Sequence, residues 1–372
     1  MTLRGERASA GPVPKEQPDR RPLNNILRTS ALLSFFVAAS LAGPASGARF
    51  DGCNVKPASS LVVNVMDRGA KGDGKSDDTQ SIQKAIDEVA GSGGTVYVPN
   101  GTYIVQAHGK KRLVLGSKMT LKLADRAVLK AMPTAAKYYS VLRIPRAKDV
   151  TVIGGTLQGD RKEHKGRSGE WGMGIIIGPE SERITIAGVT SRHMWGDGFY
   201  LAGGEDIALC SVVAEHNRRQ GLSIIMGNRI LVTNSTFRDT RGTAPSAGID
   251  LEPNKPHQRI TNVRIENSKF IDNAGGGIMI SGKKAEVAHV EILHNLFEGP
   301  RPILVENAPR VRSTSICENR YVRKEEAGNQ GFNTFADKVE VVSLQMDCRE
   351  GSDMRFEKHR QTKKKNKPQT AN

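Results

Sequence analysis

Side chains that suit glycosyl chemistry are concentrated between residues 193 and 252 of this 372-residue chain. Three of them are acidic: Asp197, Asp250 and Glu252. Cleavage at a sugar needs carboxyl groups as acid and base, a cation where the sugar is anionic, and an aromatic face for the apolar side of the ring. The same segment supplies candidates for binding a sugar: Arg218, Arg219, Gln220, Tyr200, Ser223, Trp195, His193 and His216.

Asp250 and Glu252 are the candidate acid and base. They are two residues apart in a segment of strand character, so their Cα atoms should lie about 6.6 to 7 Å apart on one face. An inverting glycoside hydrolase places its two carboxyl groups about 6.5 to 9.5 Å apart. Asp197 belongs to an earlier repeat and is displaced sideways, so we expect it more than about 10 Å from this pair. There it would hold substrate together with Arg219.

The elements that must position these residues recur with a period. Short apolar strands, each preceded by a glycine, repeat at intervals of about 22 to 30 residues, which is typical of a solenoid. A second series of apolar strands lies between them. The pattern predicts an all-β parallel β-helix. The first series comprises Ile175–Ile177, Phe199–Leu201, Leu222–Ile224, Ile249–Leu251 and Ile278–Ile280.

Alternation within the first series predicts which side chains face outward. The first and third positions after each glycine are apolar and should face the core, so the second and fourth should face solvent. Tyr200, Ser223 and Asp250 then form one ladder on the outer wall, with Glu252 beside Asp250. Because rungs stack about 4.8 Å apart, the ladder should span roughly 10 Å.

Residues 62–105 predict a strand, a loop, a helix at about residues 77–90 and another strand. Ile82, Ala85, Ile86 and Val89 make one apolar helix face, suited to closing the end of the stack. Arg68–Thr79 (RGAKGDGKSDDT) and Gly94–Tyr103 (GTVYVPNGTY), with Ile82 and Ala85-Ile86 between them, resemble the N-terminal signature of the pectate lyase and polygalacturonase superfamily. This resemblance covers about a seventh of the chain and implies a single-stranded right-handed β-helix.

The superfamily includes hydrolases, lyases, epimerases and phage tailspikes, and the chain departs from the motifs of its best-known members. The Asn-Thr-Asp, Asp-Asp, Gly-His-Gly and Arg-Ile-Lys motifs of polygalacturonase-like hydrolases are absent in that form, and Gln220 stands where the histidine is expected. The Asp-Pro-His of alginate epimerases is also absent.

Three functions therefore remain open. The first is a hydrolase that uses Asp250 and Glu252. The second is a lyase or epimerase acting on uronates, in which Arg218 or Arg219 neutralises the sugar carboxylate and Tyr200 or a histidine takes the proton. The third is a protein that binds or assembles polysaccharide without turnover.

Both ends of the chain differ from the repeats. The apolar run at residues 29–42, followed by small residues, predicts a signal peptide at 1–48 and export to the periplasm or the medium. At about 14 residues the run is shorter than the roughly 20 needed to span a bilayer, so we expect no transmembrane segment after cleavage. The β-helix domain should occupy 49–349 and a basic disordered tail 350–372. The net charge of +16 favours a polyanionic partner, and export favours an acidic polysaccharide over nucleic acid.

The four cysteines lack metal-ligand spacing, so we expect no thiol-bound metal and no cofactor. Calcium is conceivable if Asp197, Asp250 and Glu252 converge. A disulfide among Cys53, Cys317 and Cys348 suits an exported protein, whereas Cys210, within a strand pattern, is expected to be a buried thiol. The sequence indicates no oligomeric state.

Overall fold

A computed structural model describes residues 53–54, 59–110, 112–299, 301–306 and 308–322. All of them belong to one compact unit. The expected signal peptide at 1–48 and basic tail at 350–372 lie outside the described residues, so both stay predictions. Among the described helices, none is long and apolar enough to cross a bilayer.

The described strands, labelled β1 to β28 in chain order, form three parallel sheets. The first sheet contains β1 (Val62–Asn64), β3 (Thr95–Val98), β6 (Met119–Leu123), β9 (Lys148–Ile153), β12 (Glu182–Ala187), β15 (Glu205–Cys210), β18 (Gly227–Thr233), β21 (Ile260–Glu266), β24 (Val287–Leu293) and β27 (Val311–Cys317). The second contains β2 (Asp73–Asp77), β4 (Gly101–Val105), β7 (Ala127–Ala131), β10 (Thr156–Gln158), β13 (Thr190–Arg192), β16 (Val213–Glu215), β19 (Thr236–Arg238), β22 (Lys269–Ile271), β25 (Leu296–Glu298) and β28 (Arg320–Val322). The third contains β5 (Leu113–Val114), β8 (Tyr138–Ile144), β11 (Trp171–Ile177), β14 (Phe199–Leu201), β17 (Leu222–Ile224), β20 (Ala247–Leu251), β23 (Gly276–Ser281) and β26 (Ile303–Glu306).

This arrangement is the expected parallel β-helix. From β8 onward, each coil contributes a strand to the third, first and second sheets in turn, and each strand pairs with its counterpart on the next coil. The apolar positions of the third sheet, such as Phe199, Leu222 and Ile249, stack in register and are buried in one continuous core. The period predicted from glycine-preceded strands is therefore confirmed.

The end of the stack is closed by a helix, as expected. Helix α1 spans Thr79–Val89 and buries Ile82, Ala85, Ile86 and Val89. The Asp77 carboxylate accepts the backbone N–H of Thr79 at 3.0 Å, which satisfies one free donor of the first turn. Short 3₁₀ segments lie at Val65–Arg68 and Ala308–Arg310.

Inside the second sheet, phenylalanines at equivalent positions stack on one another. Ring centroids of Phe237 and Phe270 lie 5.4 Å apart, and those of Phe270 and Phe297 lie 4.8 Å apart. Such pairs contribute about 0.5 to 1.5 kcal/mol each beyond their burial. The ladder thus stabilises the register of successive coils.

The disulfide expectation was wrong at Cys210. Cys53 is bonded to Cys210 across a sequence separation of 157 residues. Cys210 ends β15 and pairs with Ala187 and Thr233 in the first sheet. Together with Ala208 and Leu231 it forms a small apolar cluster against which Cys53 packs. Cys317 is also disulfide-bonded.

Candidate active site

The predicted ladder on the third sheet exists, but its environment differs from the expected one. Tyr200 pairs directly with Ser223, and Ser223 with Asp250. These side chains point away from the core, yet Ser223 and Asp250 are each only 2% exposed and Tyr200 is half-buried. The expectation that they face solvent was therefore wrong, because side chains from the preceding turns cover the wall.

Asp197 lies much closer to the ladder than predicted. Ser223 Oγ donates a hydrogen bond to Asp197 Oδ2 at 2.8 Å, and Ser223 is the direct neighbour of Asp250 on the next coil. Arg219 contacts Asp197 at 3.2 Å and Glu252 at 3.5 Å, so these two carboxyl groups lie within roughly 9 Å of each other, closer than predicted. The reason is that the Asp197 side chain crosses from the turn before β14 to the next coil.

Arg219 is the centre of the site. Its Nη1 lies 3.2 Å from Asp197 Oδ2, its Nη2 lies 3.5 Å from Glu252 Oε2, and its Nε lies 3.9 Å from Glu170 Oε2. The Arg219 side chain is 13% exposed, so these contacts are largely shielded from water. We call Arg219, Asp197, Ser223, Gln220, Asp250, Glu252 and Glu170 the Arg219 cluster.

Burial gives the two aspartates of the cluster unusual acidities. It raises the pKa of Asp197 to about 6, although Arg219 and the Ser223 hydroxyl partly oppose the shift. Burial raises the pKa of Asp250 well above its ordinary value, the charge of Glu252 raises it further, and Arg219 opposes. Burial therefore favours the protonated form of Asp250, whereas Asp197, with a pKa of about 6, is mostly ionised at pH 7.

Gln220 determines which oxygen of Asp250 carries that proton. The backbone N–H of Ala247 donates to Gln220 Oε1 at 2.8 Å, which orients the amide. Gln220 Nε2 must then donate to Asp250 Oδ2, at 2.6 Å. Since Oδ2 accepts this bond, the proton belongs on Oδ1, which has no hydrogen-bond partner within the described part of the chain. In its protonated form, Asp250 can therefore donate from Oδ1.

Sequence reasoning missed Glu170. It lies just before Trp171 at the start of β11, is one-third exposed and has its Oε2 3.9 Å from Nε of Arg219. The carboxylates of Glu170 and Glu252 contact the same guanidinium, so they are separated by no more than roughly 10 Å. No spacing signal could have revealed Glu170, because it follows a loop that belongs to no repeat.

Trp195 and Arg218, two predicted substrate contacts, are engaged with the protein. His164 stacks on the Trp195 ring with centroids 4.0 Å apart, and the Arg218 guanidinium lies 4.0 Å from the same ring. Arg218 Nη1 also donates to the carbonyl oxygen of Gly169 at 3.0 Å. Arg218 therefore holds the backbone next to Glu170, and this packing disfavours substrate stacking on Trp195.

The loop before β11 is anchored by a buried pair. His164 Nδ1 lies 2.8 Å from Asp160 Oδ2, and both side chains are fully buried. Asp160 Oδ2 also accepts the backbone N–H of Thr134 at 3.0 Å. These contacts fix the loop that carries Glu170 into the Arg219 cluster.

His193 and His216 follow β13 and β16 and lie outside the cluster. Their rings stack with centroids 5.3 Å apart, and His216 Nδ1 lies 4.0 Å from Asp239 Oδ2. Within the described residues, neither hydrogen-bonds to the Arg219 cluster. Their role in substrate binding stays a prediction.

Tyr200 is a poor candidate for a base. Burial, with the nearby Asp197 charge, raises the pKa of Tyr200 to about 12. Its hydroxyl therefore stays protonated at neutral pH and can serve as a donor. This weakens the elimination mechanism in which Tyr200 takes a sugar proton.

The three carboxylates considered for calcium instead surround a guanidinium. In the described part of the chain, no group of three or more His, Cys, Asp or Glu side chains is arranged to hold a metal ion. Arg219 occupies the position between Asp197 and Glu252 that a cation would need. The residues present do not fit a calcium site.

A cavity of about 500 Å³ lies elsewhere, at the turn between the third and first sheets. Its charged side chains pair with neighbours, Lys148 with Glu182 at 2.7 Å and Arg259 with Glu286 at 2.8 Å. It lacks the clustered, buried carboxyl groups found around Arg219. We therefore place the candidate active site at the Arg219 cluster.

Comparisons with known proteins agree with the fold. Residues 62–120 match the family model for "Rhamnogalacturonase A/epimerase, pectate lyase-like", and residues 173–307 match "Right handed beta helix region". An uncharacterised Bacillus subtilis protein, YclG, is 25% identical over 329 residues, covering 74% of this chain and 56% of its own length. The mannuronan C5-epimerase AlgE6 of Azotobacter vinelandii is 36% identical over 174 residues, covering 43% of this chain and 20% of its own length.

Among solved structures, the family 28 exopolygalacturonase of Yersinia enterocolitica superposes with a TM-score of 0.52 at 15% identity. The match covers 74% of this chain and 67% of that one. The predicted resemblance to the pectate lyase and polygalacturonase superfamily is confirmed by these matches, and the chain is a right-handed parallel β-helix protein. The chain spans only about half, or less, of the curated relatives it matches.

Proposed function

We propose that this pectate lyase-like β-helix protein is an exported enzyme that hydrolyses glycosidic bonds in an acidic polysaccharide. The observation that carries the proposal is the contrast between two neighbouring carboxyl groups. Asp250 is buried with a strongly raised pKa, whereas Glu252, two residues along, is one-third exposed beside Arg219. Pairs of carboxyl groups in such different environments divide the roles of acid and base.

In this mechanism Asp250 is the general acid. Its Oδ1 proton passes to the glycosidic oxygen as the bond to the sugar breaks, while Glu252 takes a proton from the attacking water. Residues two apart on an extended chain have Cα atoms about 6.6 to 7 Å apart, a spacing that suits an inverting enzyme with a water molecule between the carboxyl groups.

Access to Asp250 gives a reason for an acidic substrate. Asp250 is 2% exposed among the other side chains of the Arg219 cluster, so its proton reaches a substrate only when these side chains move. The contact between Arg219 Nη2 and Glu252 Oε2 is 3.5 Å long, which is longer than a strong hydrogen bond. A sugar carboxylate can compete for that guanidinium nitrogen and draw Arg219 off the acid.

The relative AlgE6 supports an acidic substrate by its name, since mannuronan is a polymer of a uronic acid. The same relative, named as an epimerase, also supports a second candidate function, which is epimerisation or β-elimination at a uronate. Such a reaction needs a base at the sugar C5, and Tyr200, with its pKa raised to about 12, is ill suited to that role. Hydrolysis is therefore preferred.

The test is a panel of polygalacturonate, polymannuronate and neutral glucans incubated with the full chain. Hydrolysis yields new reducing ends without ultraviolet absorbance, elimination yields an unsaturated product that absorbs, and epimerisation changes sugar composition without cleavage. We expect the parent chain to produce new reducing ends without an unsaturated product. The rate at which reducing ends form should fall at least 100-fold in Asp250→Asn and in Glu252→Gln. Asp149→Asn, which removes a carboxylate paired with Arg183 on the first sheet, is the matched control.

Two outcomes would overturn the proposal. Turnover that persists in both carboxylate variants would remove the acid and base assignment. Binding to a polyuronate that the parent chain never cleaves would identify a binding protein instead. Export is tested separately by finding mature protein outside the cytoplasm with its N-terminus near residue 49.

A further inference from the structure

Two aromatic side chains on the third sheet are exposed side by side. Tyr138 begins β8 and Trp171 begins β11, and the two residues pair directly across adjacent coils. Tyr138 is 42% exposed and Trp171 is 45% exposed. Since coils stack about 4.8 Å apart, the two side chains make one apolar surface about the size of a sugar ring.

An arginine borders this surface without a carboxylate partner. Arg143, also on β8, donates from Nη1 to Tyr138 Oη at 3.4 Å. Within the described part of the chain, Arg143 forms no ion pair. Several other arginines on the surface do, as where Arg183 meets Asp149 at 2.6 Å. Arg143 is therefore a cation available to an external anion.

The surface is continuous with the Arg219 cluster. Trp171 directly follows Glu170, whose carboxylate lies 3.9 Å from Arg219. Arg143 pairs with Ile176, and Ile176 with Tyr200, the first member of the ladder that ends at Asp250. Ile176 faces outward but is only 4% exposed, so it forms a covered floor between the two regions.

We propose that Tyr138, Trp171 and Arg143 form a binding subsite for one uronate residue of the substrate. The aromatic rings pack on the apolar face of the sugar, and Arg143 binds its carboxylate. This inference rests on the proposed function for its substrate class. It places the polysaccharide along the helix axis, from the Arg219 cluster toward β8.

Trp195, by contrast, is the stacking partner of His164 and Arg218. The chain contains two tryptophans, so binding can be followed by the fluorescence of Trp171. A sugar on its ring should shift the emission and protect it from acrylamide, while the Trp195 contribution stays constant.

The experiment titrates tetramers of galacturonate and mannuronate, and a neutral cellotetraose, into Asp250→Asn protein by calorimetry and fluorescence. We expect Trp171→Ala and Tyr138→Ala each to weaken uronate binding by about tenfold. Arg143→Gln should weaken uronate binding to a similar extent and leave cellotetraose binding unchanged. Tyr321→Leu, which alters another exposed aromatic at the far end of the helix, is the control and should bind normally.

Unchanged uronate affinity in Trp171→Ala, with a native circular dichroism spectrum, would overturn the subsite. Equal losses for uronate and neutral sugar in Arg143→Gln would overturn its charge assignment. The proposed function fails in a different way, through absence of cleavage by the parent chain. If Trp171→Ala loses uronate binding but the parent chain cleaves no polysaccharide, the subsite is supported and the proposed enzymatic function is refuted.

Discussion

Replacing Asp197 by asparagine tests whether burial outweighs the attraction of Arg219. Asp197 is fully buried, and its pKa rises from 3.8 to about 6. A shift of about two pH units at 1.36 kcal/mol per unit means that ionising this group costs the folded state about 3 kcal/mol. Asparagine keeps an oxygen that can accept from Ser223 and Arg219 but does not ionise.

The raised pKa of Asp197 determines how its contribution to stability changes with pH. The contribution of Asp197 to stability is fully present below about pH 4 and is lost as the pH rises through 6. We therefore expect the free energy of unfolding of Asp197→Asn, relative to the parent, to increase by about 3 kcal/mol between pH 3 and 7. Urea denaturation at constant ionic strength, repeated at intervals across this range, measures the difference directly.

Asp149→Asn is the control of opposite sign. Arg183 lowers the pKa of Asp149, so this variant should lose stability relative to the parent at neutral pH, and the loss should vanish as the pH falls toward 3. A flat difference curve for Asp197→Asn, or one that decreases toward pH 7, would refute the claim that burial dominates at Asp197.

Three further predictions concern the cluster, the coil contacts and the disulfide. Arg219→Met should lower the free energy of unfolding at pH 7 by about 3 kcal/mol, and by less at pH 5 where Asp197 is protonated; equal losses at both pH values in urea titrations would contradict this. Gly174→Ala should destabilise by about 3 kcal/mol in the same assay, because its Cβ would lie 2.2 Å from Ser191 Oγ and 2.4 Å from the carbonyl oxygen of Gly198; an unchanged midpoint would show that the coils can separate. Cys53→Ser should cost up to about 5 kcal/mol, since the bond closes a loop of 157 residues, and an unaltered unfolding curve under non-reducing conditions would deny the bond a stabilising role.

The repeat, and with it the ladder of Tyr200, Ser223 and Asp250, was predictable from the sequence. Every coil must place apolar side chains at its inward positions, so the strand register can be read from apolar residues that recur about every 25 positions. The positions of Asp197 and Glu170 could not be predicted, because both residues lie in turns whose backbone path does not repeat from coil to coil. Long side chains such as Arg219 reach across coils through several rotatable bonds, and strand alternation says nothing about where their ends lie.

The pairing of Cys53 with Cys210 was unpredictable for a similar reason. Cys53 precedes the first strand, in a segment without repeats, and sequence spacing cannot show that it packs on the outer side of β15. Trp195 illustrates the same limit, since its partner His164 lies in the loop before β11. Repeats predict the scaffold, whereas the irregular segments between them decide which side chains are free.

Protonation of Asp197 should also control how tightly the cluster accepts an anionic sugar. At pH 7 the carboxylates of Asp197, Glu252 and Glu170 surround the single charge of Arg219, so they weaken its attraction for a sugar carboxylate. Lowering the pH from 7 to 5 protonates Asp197, whose pKa is about 6, and removes one negative charge. Two like charges roughly 8 Å apart, partly screened, repel by about 1 kcal/mol, or about fivefold in affinity. Uronate tetramers should thus bind Asp250→Asn protein about fivefold more tightly at pH 5, and a second substitution, Asp197→Asn, should remove most of this dependence. A pH dependence that survives in the double variant would assign the effect to another group.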